Sequence, residues 1–168
     1  LFPDGHPYQH EAIGSMADLD SASMEDVKAW FTENYGPNNA TLVIAGDISA
    51  AEAKPLVEKY FGGIKRGPVN DPAQADVTTL KEPVRKTFKD QVAATSITRY
   101  WAVEGITGKD RIALDVGASI LGGLASSRLD NVLVRDEQLA VSVSAGNSAF
   151  HRIGILQVEA TAKDGVDL

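Results

Sequence analysis

The sequence predicts an α+β fold, with helices packed on one face of a mostly antiparallel sheet. The predicted elements run in the order helix, strand, helix, linker, strand, strand, helix, helix, strand, strand, and paired strands beside paired helices are typical of this class. The run AVSVSAG alternates apolar and small polar residues and is followed by RIGILQVEATA, so the two predict an antiparallel hairpin across GNSAFH. A chain of 168 residues, 43% of them hydrophobic, can also bury a sizeable core.

The first half of the chain predicts two capped helices. Residues 1–23 carry Pro, Gly, Asp and Ser without a helical period, so we expect them to be irregular. Ser23 then caps a helix, and Asp26 completes a capping box. Ser49 and Glu52 form the same pair at the start of a second helix. The apolar face of the first helix holds Val27, Trp30, Phe31 and Tyr35.

Between these helices lies the run NATLVIAGD, residues 39–47. It is short, nearly continuously apolar and contains β-branched residues. Such a run is typical of a strand that is buried on both faces.

The second half predicts two further strands and two further helices. VRKTFKD and ATSITRYWAV are the strand candidates, and Arg99 interrupts the apolar face of the second one. KDRIALDVGASILGG predicts a helix that packs through Ile112, Val116 and Ile120. SSRLDNVLVRDEQL predicts another helix, capped by Ser126 or Ser127, whose inward residues are Leu129, Val132 and Leu133.

Composition excludes several classes of function. The chain has 16 Lys and Arg against 23 Asp and Glu, a net charge of −7, which argues against a nucleic-acid partner or an anionic membrane surface. It has no cysteine, so disulfides and thiolate metal sites are excluded. No apolar run reaches the length of a membrane span. Neither end reads as a natural terminus, so we expect an internal segment of a longer protein.

The opening stretch HPYQHEAIG suggests a zinc site, because His6 and His10 stand four residues apart with Glu11 beside them. Pro7 breaks the helix that this spacing requires, and Glu11 follows the histidine pair instead of lying between its members. The third histidine, His151, is distant in sequence. We therefore interpret the stretch as a rigid turn whose His and Tyr side chains pack or hydrogen-bond locally, and we predict no metal ligand in this chain.

The stretch ILGGLASSRL is a glycine-rich turn that opens a helix, which is one way to bind an anion. It lacks the lysine of a P-loop, and a helix-to-helix turn with a serine cap explains it equally well. A free-standing protein that binds a small molecule at this turn stays an alternative. Its residues are our only candidates for substrate binding: Gly122, Gly123, Ser126, Ser127 and Arg128.

Other polar residues favour structural roles. Ser142 and Ser144 alternate with apolar residues on a predicted strand and lack the turn that presents a nucleophilic serine. Asp47 suits the turn into the helix capped by Ser49. We predict no catalytic residue in the chain.

Several stretches together resemble one family. HPYQHEAIGS, YGPNNATLVIAGD, LVEKYFGGI and ILGGLASSRLDNVLVRDEQLAVSVSAG are similar, in this order, to the pitrilysin/insulinase-type zinc metallopeptidases. These are the inverzincins, which include mitochondrial processing peptidase. The resemblance covers nearly the whole chain. It implies repeated α+β units of the processing-peptidase kind: residues 1–66 would end one repeat, residues 67–83 would be a linker, and residues 84–168 would begin the next repeat.

The resemblance also implies a function. Members hold zinc through a His-x-x-Glu-His helix and a downstream Glu, and no His-x-x-Glu-His occurs here. In the family both lie upstream of the region that HPY matches, so the ligands would precede residue 1 or be degenerate in the longer protein. Many members carry an Arg and a Tyr that hold substrate where this chain has Val134 and Val141, and we do not transfer that role to Arg135.

The implied role is a scaffold and chamber segment of a zinc-dependent metalloendopeptidase, inactive by itself, whose parent cleaves peptides or unfolded polypeptides. Its partners would be the missing metal-bearing repeat and the second half of the same protein. The alternative is a catalytically inactive structural or peptide-binding homologue. Related bacterial enzymes are often exported, so we expect a periplasmic or otherwise exported protein, with the cytoplasm as the alternative.

Overall fold

A computed structural model describes residues 1–69, 71 and 73–166. The chain divides into two compact units. The helical unit is His10–Ala73, and the sheet unit combines Leu1–Gln9 with Gln74–Leu168.

Serine-capped helices make up the regular structure of the helical unit. They are α1 (Met16–Ser21), α2 (Met24–Asn34) and α3 (Ala50–Phe61), and a 3₁₀ turn, Pro37–Asn39, follows α2. The predicted capping boxes of α2 and α3 are both confirmed. The expectation of irregular structure before residue 23 was wrong at α1, because the hydroxyl of Ser15 accepts a hydrogen bond from the Asp18 N–H and caps this short helix.

The run NATLVIAGD does not form a paired strand within the described part of the chain. Its apolar side chains Leu42, Val43 and Ile44 are exposed. The predicted strand is therefore wrong for the chain by itself. The pattern of side chains indicates that the run prefers an extended, buried backbone. A strand also needs a neighbouring strand with which to form hydrogen bonds.

The sheet unit is built on three antiparallel strands. These are β1 (Ser96–Glu104), β2 (Ala140–Ala149) and β3 (Ile153–Ala162), arranged in the order β1-β3-β2. The predicted hairpin is confirmed as β2 and β3, although β2 continues to Ala149 and leaves a turn shorter than GNSAFH. VRKTFKD lies outside the strands, so that strand prediction was wrong, and Phe88 within it is exposed.

Helices cover one face of this sheet. Helix α4 (Arg111–Ala118) continues into a π-helical segment, Ser119–Gly123, and a second π-helical segment spans Asp130–Asp136. Directly paired strand residues point to the same face, so the register assigns Val143, Ala145 and Asn147 to the face that α4 and its extension contact. This arrangement confirms the predicted α+β fold with helices on one face of an antiparallel sheet.

The opposite face of the sheet is mostly polar. We call it the open face. It consists of Ser142, Ser144, Gly146 and Ser148 on β2, all exposed, their β3 partners Thr161, Glu159, Gln157 and Ile155, and Ser96, Thr98, Tyr100 and Ala102 on β1.

The apolar stripe predicted to pack α4 against the sheet faces away from it, so that prediction was wrong. Ile112 is 66% exposed, and Val116 and Ile120 are exposed as well. Ala118 and Gly122 are buried instead, since only small residues allow the helix backbone to lie this close to the sheet. In the following helix Leu129 and Leu133 are half-buried as predicted, but Val132 is exposed.

Candidate functional site

The glycine turn, Gly122–Arg128, begins at the end of the first π-helical segment and leads into the second, against strand β2. After Gly123 the chain becomes extended at Leu124, and the Ser127 N–H donates a hydrogen bond to the Leu124 carbonyl at 2.9 Å. A depression of about 330 Å³ lies beside the turn. The residues that line it are Gly122, Gly123, Leu124, Ala125, Asp130, Val143, Ser144 and Ala145.

Gly122 is the point of closest approach between turn and sheet. A Cβ atom added to this residue would lie 2.9 Å from both the Cβ and the N of Ala145. Real Cβ atoms do not approach other atoms this closely, so the helix extension can pack here only with glycine. The small residues Gly122 and Ala145, in close contact, therefore form part of the lining of the depression.

The one charged side chain that lines the depression is acidic, and it already forms an ion pair. Asp130 is the only charged residue in its lining, and the Asp130 Oδ2 atom lies 3.0 Å from Arg135 Nε. The Arg135 guanidinium also donates to the Ala125 carbonyl. Because the Asp130 carboxylate is paired with Arg135, the lining offers an anion no free positive charge, and the Ser127 N–H is already used within the turn. The geometry therefore suits a neutral polar group, such as a peptide backbone, better than a phosphate.

The remaining candidates from the sequence lie around the turn in different environments. Ser126 and Arg128 are exposed, whereas Ser127 is only 4% exposed. Ser127 directly precedes the first helical residue, as predicted, but its hydroxyl has no hydrogen-bond partner among the described residues and so does not act as a cap. Its carbonyl accepts the Asn131 N–H at 3.0 Å.

His6 is held by two hydrogen bonds, one at each ring nitrogen. Nδ1 accepts from the Tyr8 N–H at 3.1 Å, and Nε2 lies 3.1 Å from the Asp76 carbonyl oxygen. A carbonyl can only accept, so the geometry assigns the ring proton to Nε2. The ring also stacks on Phe2 with 4.9 Å between centroids. The predicted turn with locally packed His and Tyr side chains is confirmed for His6 and Tyr8.

Tyr8 extends this packing to the β2–β3 turn. Its hydroxyl accepts a hydrogen bond from the Arg152 N–H at 3.3 Å, and its ring centroid lies 6.0 Å from that of Phe150. Tyr8 thus ties the first residues of the chain to the β2–β3 turn, 144 positions further along the chain.

The described residues do not fit a zinc ion. Among them no group of three or more His, Cys, Asp or Glu side chains could hold a metal. Both nitrogens of His6 are engaged, while His10 and Glu11 belong to the helical unit. His151 is in the turn between β2 and β3.

A polar bridge between α4 and β2 was missed by the sequence analysis. The Asp115 carboxylate accepts from Asn147 Nδ2 at 2.8 Å and from Arg111 Nη1 at 3.0 Å. The Arg111 and Asp115 spacing of four residues was a usable helix signal. Asn147 follows Val143 and Ala145 at alternate positions, on the helix-covered face of β2. A polar residue among apolar ones on that face was the second signal.

The family follows from a comparison with known proteins. A family model described as "Peptidase M16 inactive domain" matches residues 21–167 of the chain. The chain belongs to this family. The resemblance to pitrilysin/insulinase-type zinc peptidases is thereby confirmed.

Relatives of this M16 domain include enzymes that are named as zinc proteases. The zinc protease PqqE of Helicobacter pylori is 28% identical over 148 residues, which are 84% of this chain and 33% of that protein. A probable mitochondrial-processing peptidase subunit beta of Schizosaccharomyces pombe is 26% identical over 166 residues, 90% of this chain and 35% of that protein. The chain therefore spans about a third of the length of these relatives.

A solved structure of the same kind of domain shares the fold. The crystal structure of a peptidase M16 inactive domain from Pseudomonas fluorescens superposes with a TM-score of 0.66 at 19% identity, covering 95% of this chain and 39% of that one. In the part of the M16 domain that the structure describes, no helix has the length and apolarity needed to cross a membrane.

Proposed function

We propose that this M16 domain is a non-ligand segment of a zinc-dependent metalloendopeptidase and forms scaffold and wall of the chamber that receives peptides or unfolded polypeptides. The observation that carries the proposal is the two-sided sheet. One face packs against α4 and its extension, and the open face presents Ser142, Ser144, Gly146 and Ser148 in a row.

The chemistry of the open face suits transient contact with many peptides. Serine hydroxyls and the glycine backbone offer both donors and acceptors, and their small size leaves room for side chains of any shape. Apart from Glu159, no charged residue interrupts the row and its β3 partners. Such a surface hydrates easily, so it can meet an extended chain without holding it tightly.

Zinc would be supplied from outside these 168 residues. The relatives are named as zinc proteases and are about three times as long as the match, whereas the described residues of this chain do not fit the ion. The proposed partners are accordingly a metal-bearing repeat and the second half of the same protein. The isolated chain should neither bind zinc stoichiometrically nor cleave peptides, and finding either activity would overturn the proposal.

A photo-crosslinking experiment in the full-length parent tests the wall role. Benzoylphenylalanine replaces Ser144 on the open face in one variant and Ile112 on the outward side of α4 in the control, and each is irradiated with reduced, carboxymethylated α-lactalbumin. We expect adducts from position 144 and few from position 112. Equal labelling at both positions, or labelling at 112 alone, would contradict the assignment.

The alternative proposal is a catalytically inactive homologue that serves as a structural or peptide-binding subunit. The family description "inactive domain" favours keeping it. The two differ in one property of the parent: a peptidase requires an intact His-x-x-Glu-His motif and bound zinc, and the inactive homologue lacks both. Sequencing the parent gene and measuring its zinc content by mass spectrometry separates them.

A further inference from the structure

Glu159 is the one charged residue of the open face. It lies on β3, the central strand, so the other residues of this face stand on both sides of its carboxylate. The register places Thr98 of β1 and Ser144 of β2 directly opposite it. Side chains that are directly opposite on one face have Cβ atoms about 4.5–5.5 Å apart. The carboxylate therefore stands in the middle of a surface that otherwise carries hydroxyl, amide, aromatic and apolar groups.

This carboxylate has no counter-ion within the described part of the chain. It forms no ion pair there with a lysine, an arginine or a histidine. Its hydrogen-bond donor among these residues is Gln157, whose Nε2 atom lies 3.3 Å from Glu159 Oε2. Glu159 is nevertheless half-buried, and a charge that is partly removed from water without a counter-ion costs free energy. A cationic group that reaches the carboxylate would offset that cost.

Tyr100 adds an aromatic surface beside the carboxylate. It is the β1 partner of Gln157 and is therefore a diagonal neighbour of Glu159 on the same face. Diagonal neighbours are about 7–8 Å apart, which is within reach of aromatic and long side chains. Tyr100 is 50% exposed, and its ring takes part in none of the ring or cation contacts among the described residues. A cation bound to the carboxylate can thus also contact the face of this ring.

Other classes of ligand fit these residues less well. An anion is repelled by Glu159 and finds no cationic residue on the open face. A metal ion needs more ligands than one carboxylate, and among the described residues no group of three or more His, Cys, Asp or Glu side chains could hold one. An apolar side chain would displace water from the carboxylate and give it no partner. An ammonium or guanidinium group pairs with the carboxylate, while its methylene stem packs on the tyrosine ring.

We propose that Glu159 and Tyr100 form a subsite for one basic side chain, a lysine or an arginine, of a peptide that lies along the open face. The inference rests on the proposed function, since it requires a peptide at this face, and it adds a preference for one kind of side chain. The carboxylate accepts hydrogen bonds from the cation, and the ring contacts its charge and its stem. The subsite changes which peptides bind and leaves bond cleavage to residues elsewhere in the longer protein.

Peptide binding to the full-length parent tests this preference. The probes are two fluorescein-labelled peptides of alanine and serine that differ only at their central residue, which is lysine in one and the uncharged norleucine in the other. Fluorescence anisotropy gives both dissociation constants, with a zinc chelator present so that neither peptide is cleaved. We expect the lysine peptide to bind about 3- to 10-fold more tightly, and Glu159→Gln to remove this difference. Equal affinities in the unsubstituted parent, a preference that persists in Glu159→Gln, or failure of both peptides to bind would overturn the inference.

Glu137→Gln in the parent is the matched control. It removes the same charge at an exposed position outside the open face, so the preference for lysine should persist. Loss of the preference in both variants would assign it to the net charge of the protein. Tyr100→Leu should reduce the preference about two- to threefold, whereas Tyr100→Phe should keep it because the ring remains. Equal affinity ratios in Tyr100→Leu and the unsubstituted parent would contradict the contact with the ring.

Zinc content and peptidase activity of the parent are measured on the same preparation before the chelator is added. A preference for lysine that depends on Glu159, in a parent without zinc or activity, would leave the subsite standing and remove the peptidase proposal. An active, zinc-loaded parent that binds both peptides equally would do the opposite.

Discussion

Asn147 on β2 donates its side-chain N–H to Asp115 on α4, with 2.8 Å between Nδ2 and Oδ1. Arg111 occupies the other carboxylate oxygen at 3.0 Å, so both oxygens of Asp115 have a donor. The bridge joins the helix layer to the sheet at a position where the rest of the contact is made by small apolar residues. It therefore fixes the register of α4 against β2, which apolar packing alone does not specify.

Replacing Asn147 with aspartate should destabilise the chain at neutral pH. The change removes the donor and places a second carboxylate beside Asp115, and an unpaired, partly buried acceptor costs about 1–3 kcal/mol. Urea unfolding at pH 7 measures the loss.

Ser148→Asp is the matched control for that variant. It adds the same charge one residue further along β2, where the side chain lies on the open face. We expect a change within about 0.5 kcal/mol in the free energy of unfolding. If the two variants lose equal stability at pH 7, then added charge on the strand, and not the bridge, is responsible.

Gly122→Ala should destabilise the chain, and Gly117→Ala should not. The new methyl group at position 122 would overlap Ala145, which typically costs about 1–3 kcal/mol. At Gly117, within α4, a Cβ meets no atom within 4 Å, so alanine should stabilise by about 0.5–1 kcal/mol through helix propensity. Thermal unfolding of the two variants gives the comparison.

The double variant Gly122→Ala, Ala145→Gly isolates the contact. Removing the Ala145 methyl group restores space, so we expect recovery of part of the lost stability. A double variant whose loss equals the sum of the two single losses would place the cost of Gly122→Ala in backbone conformation and not in this contact.

Local patterns predicted much of the fold because they act over a few residues. The capping box of Ser23 and Asp26 needs only neighbours three positions apart, and the β2–β3 hairpin needs only alternation and a turn. Ser15 caps α1 by the same chemistry, but the Pro and Gly around it obscured the signal.

Features that depend on contacts between distant parts of the chain could not be predicted from local patterns. The pattern of α4 assigns its buried face to Ile112 and Val116, yet the sheet accepts the side with Ala118 and Gly122, because close approach and not hydrophobicity decides which side packs. For residues 40–45 the pattern is that of a strand, but pairing depends on a neighbour that the sequence of the run does not specify. Of the candidate site, the sequence located the glycine turn, and only the folded structure brings Asp130 and Arg135 beside it.

Acid should weaken the starts of α2 and α3 through their capping boxes. The hydroxyl and backbone N–H of Ser23 hold the pKa of Asp26 below its ordinary value, and Ser49 lowers the pKa of Glu52 in the same way. A carboxyl whose pKa is lowered on folding contributes stability that is fully present above its unfolded pKa and is lost as the pH falls through the folded pKa. Helicity measured by circular dichroism should therefore fall across the acidic range below the ordinary carboxyl pKa.

The variants Asp26→Asn and Glu52→Gln should flatten this acid transition. Both substitutions remove the titrating carboxyl group. The helicity of each variant should therefore be lower than that of the unsubstituted 168-residue chain at pH 7, and it should change less on acidification. Glu25→Gln is the control, since Glu25 lies in the first turn of α2 but outside the box. An unchanged transition in Asp26→Asn would assign the acid sensitivity to other groups.

His6→Ala should loosen the first residues of the sheet unit without changing zinc binding. The variant removes the acceptor for the Tyr8 N–H and the donor to the Asp76 carbonyl, two partly exposed hydrogen bonds that are worth about 0.5–1.5 kcal/mol each. Exchange of the Tyr8 amide should accelerate, and His10→Ala, the control from the same stretch, should leave it unchanged. Zinc titration by calorimetry should give the same weak or absent heat for both variants and for the unmodified chain. A zinc affinity that is lost in His6→Ala and His10→Ala alike would instead make this pair a metal site, and would require the His6 ring to leave both of its hydrogen bonds.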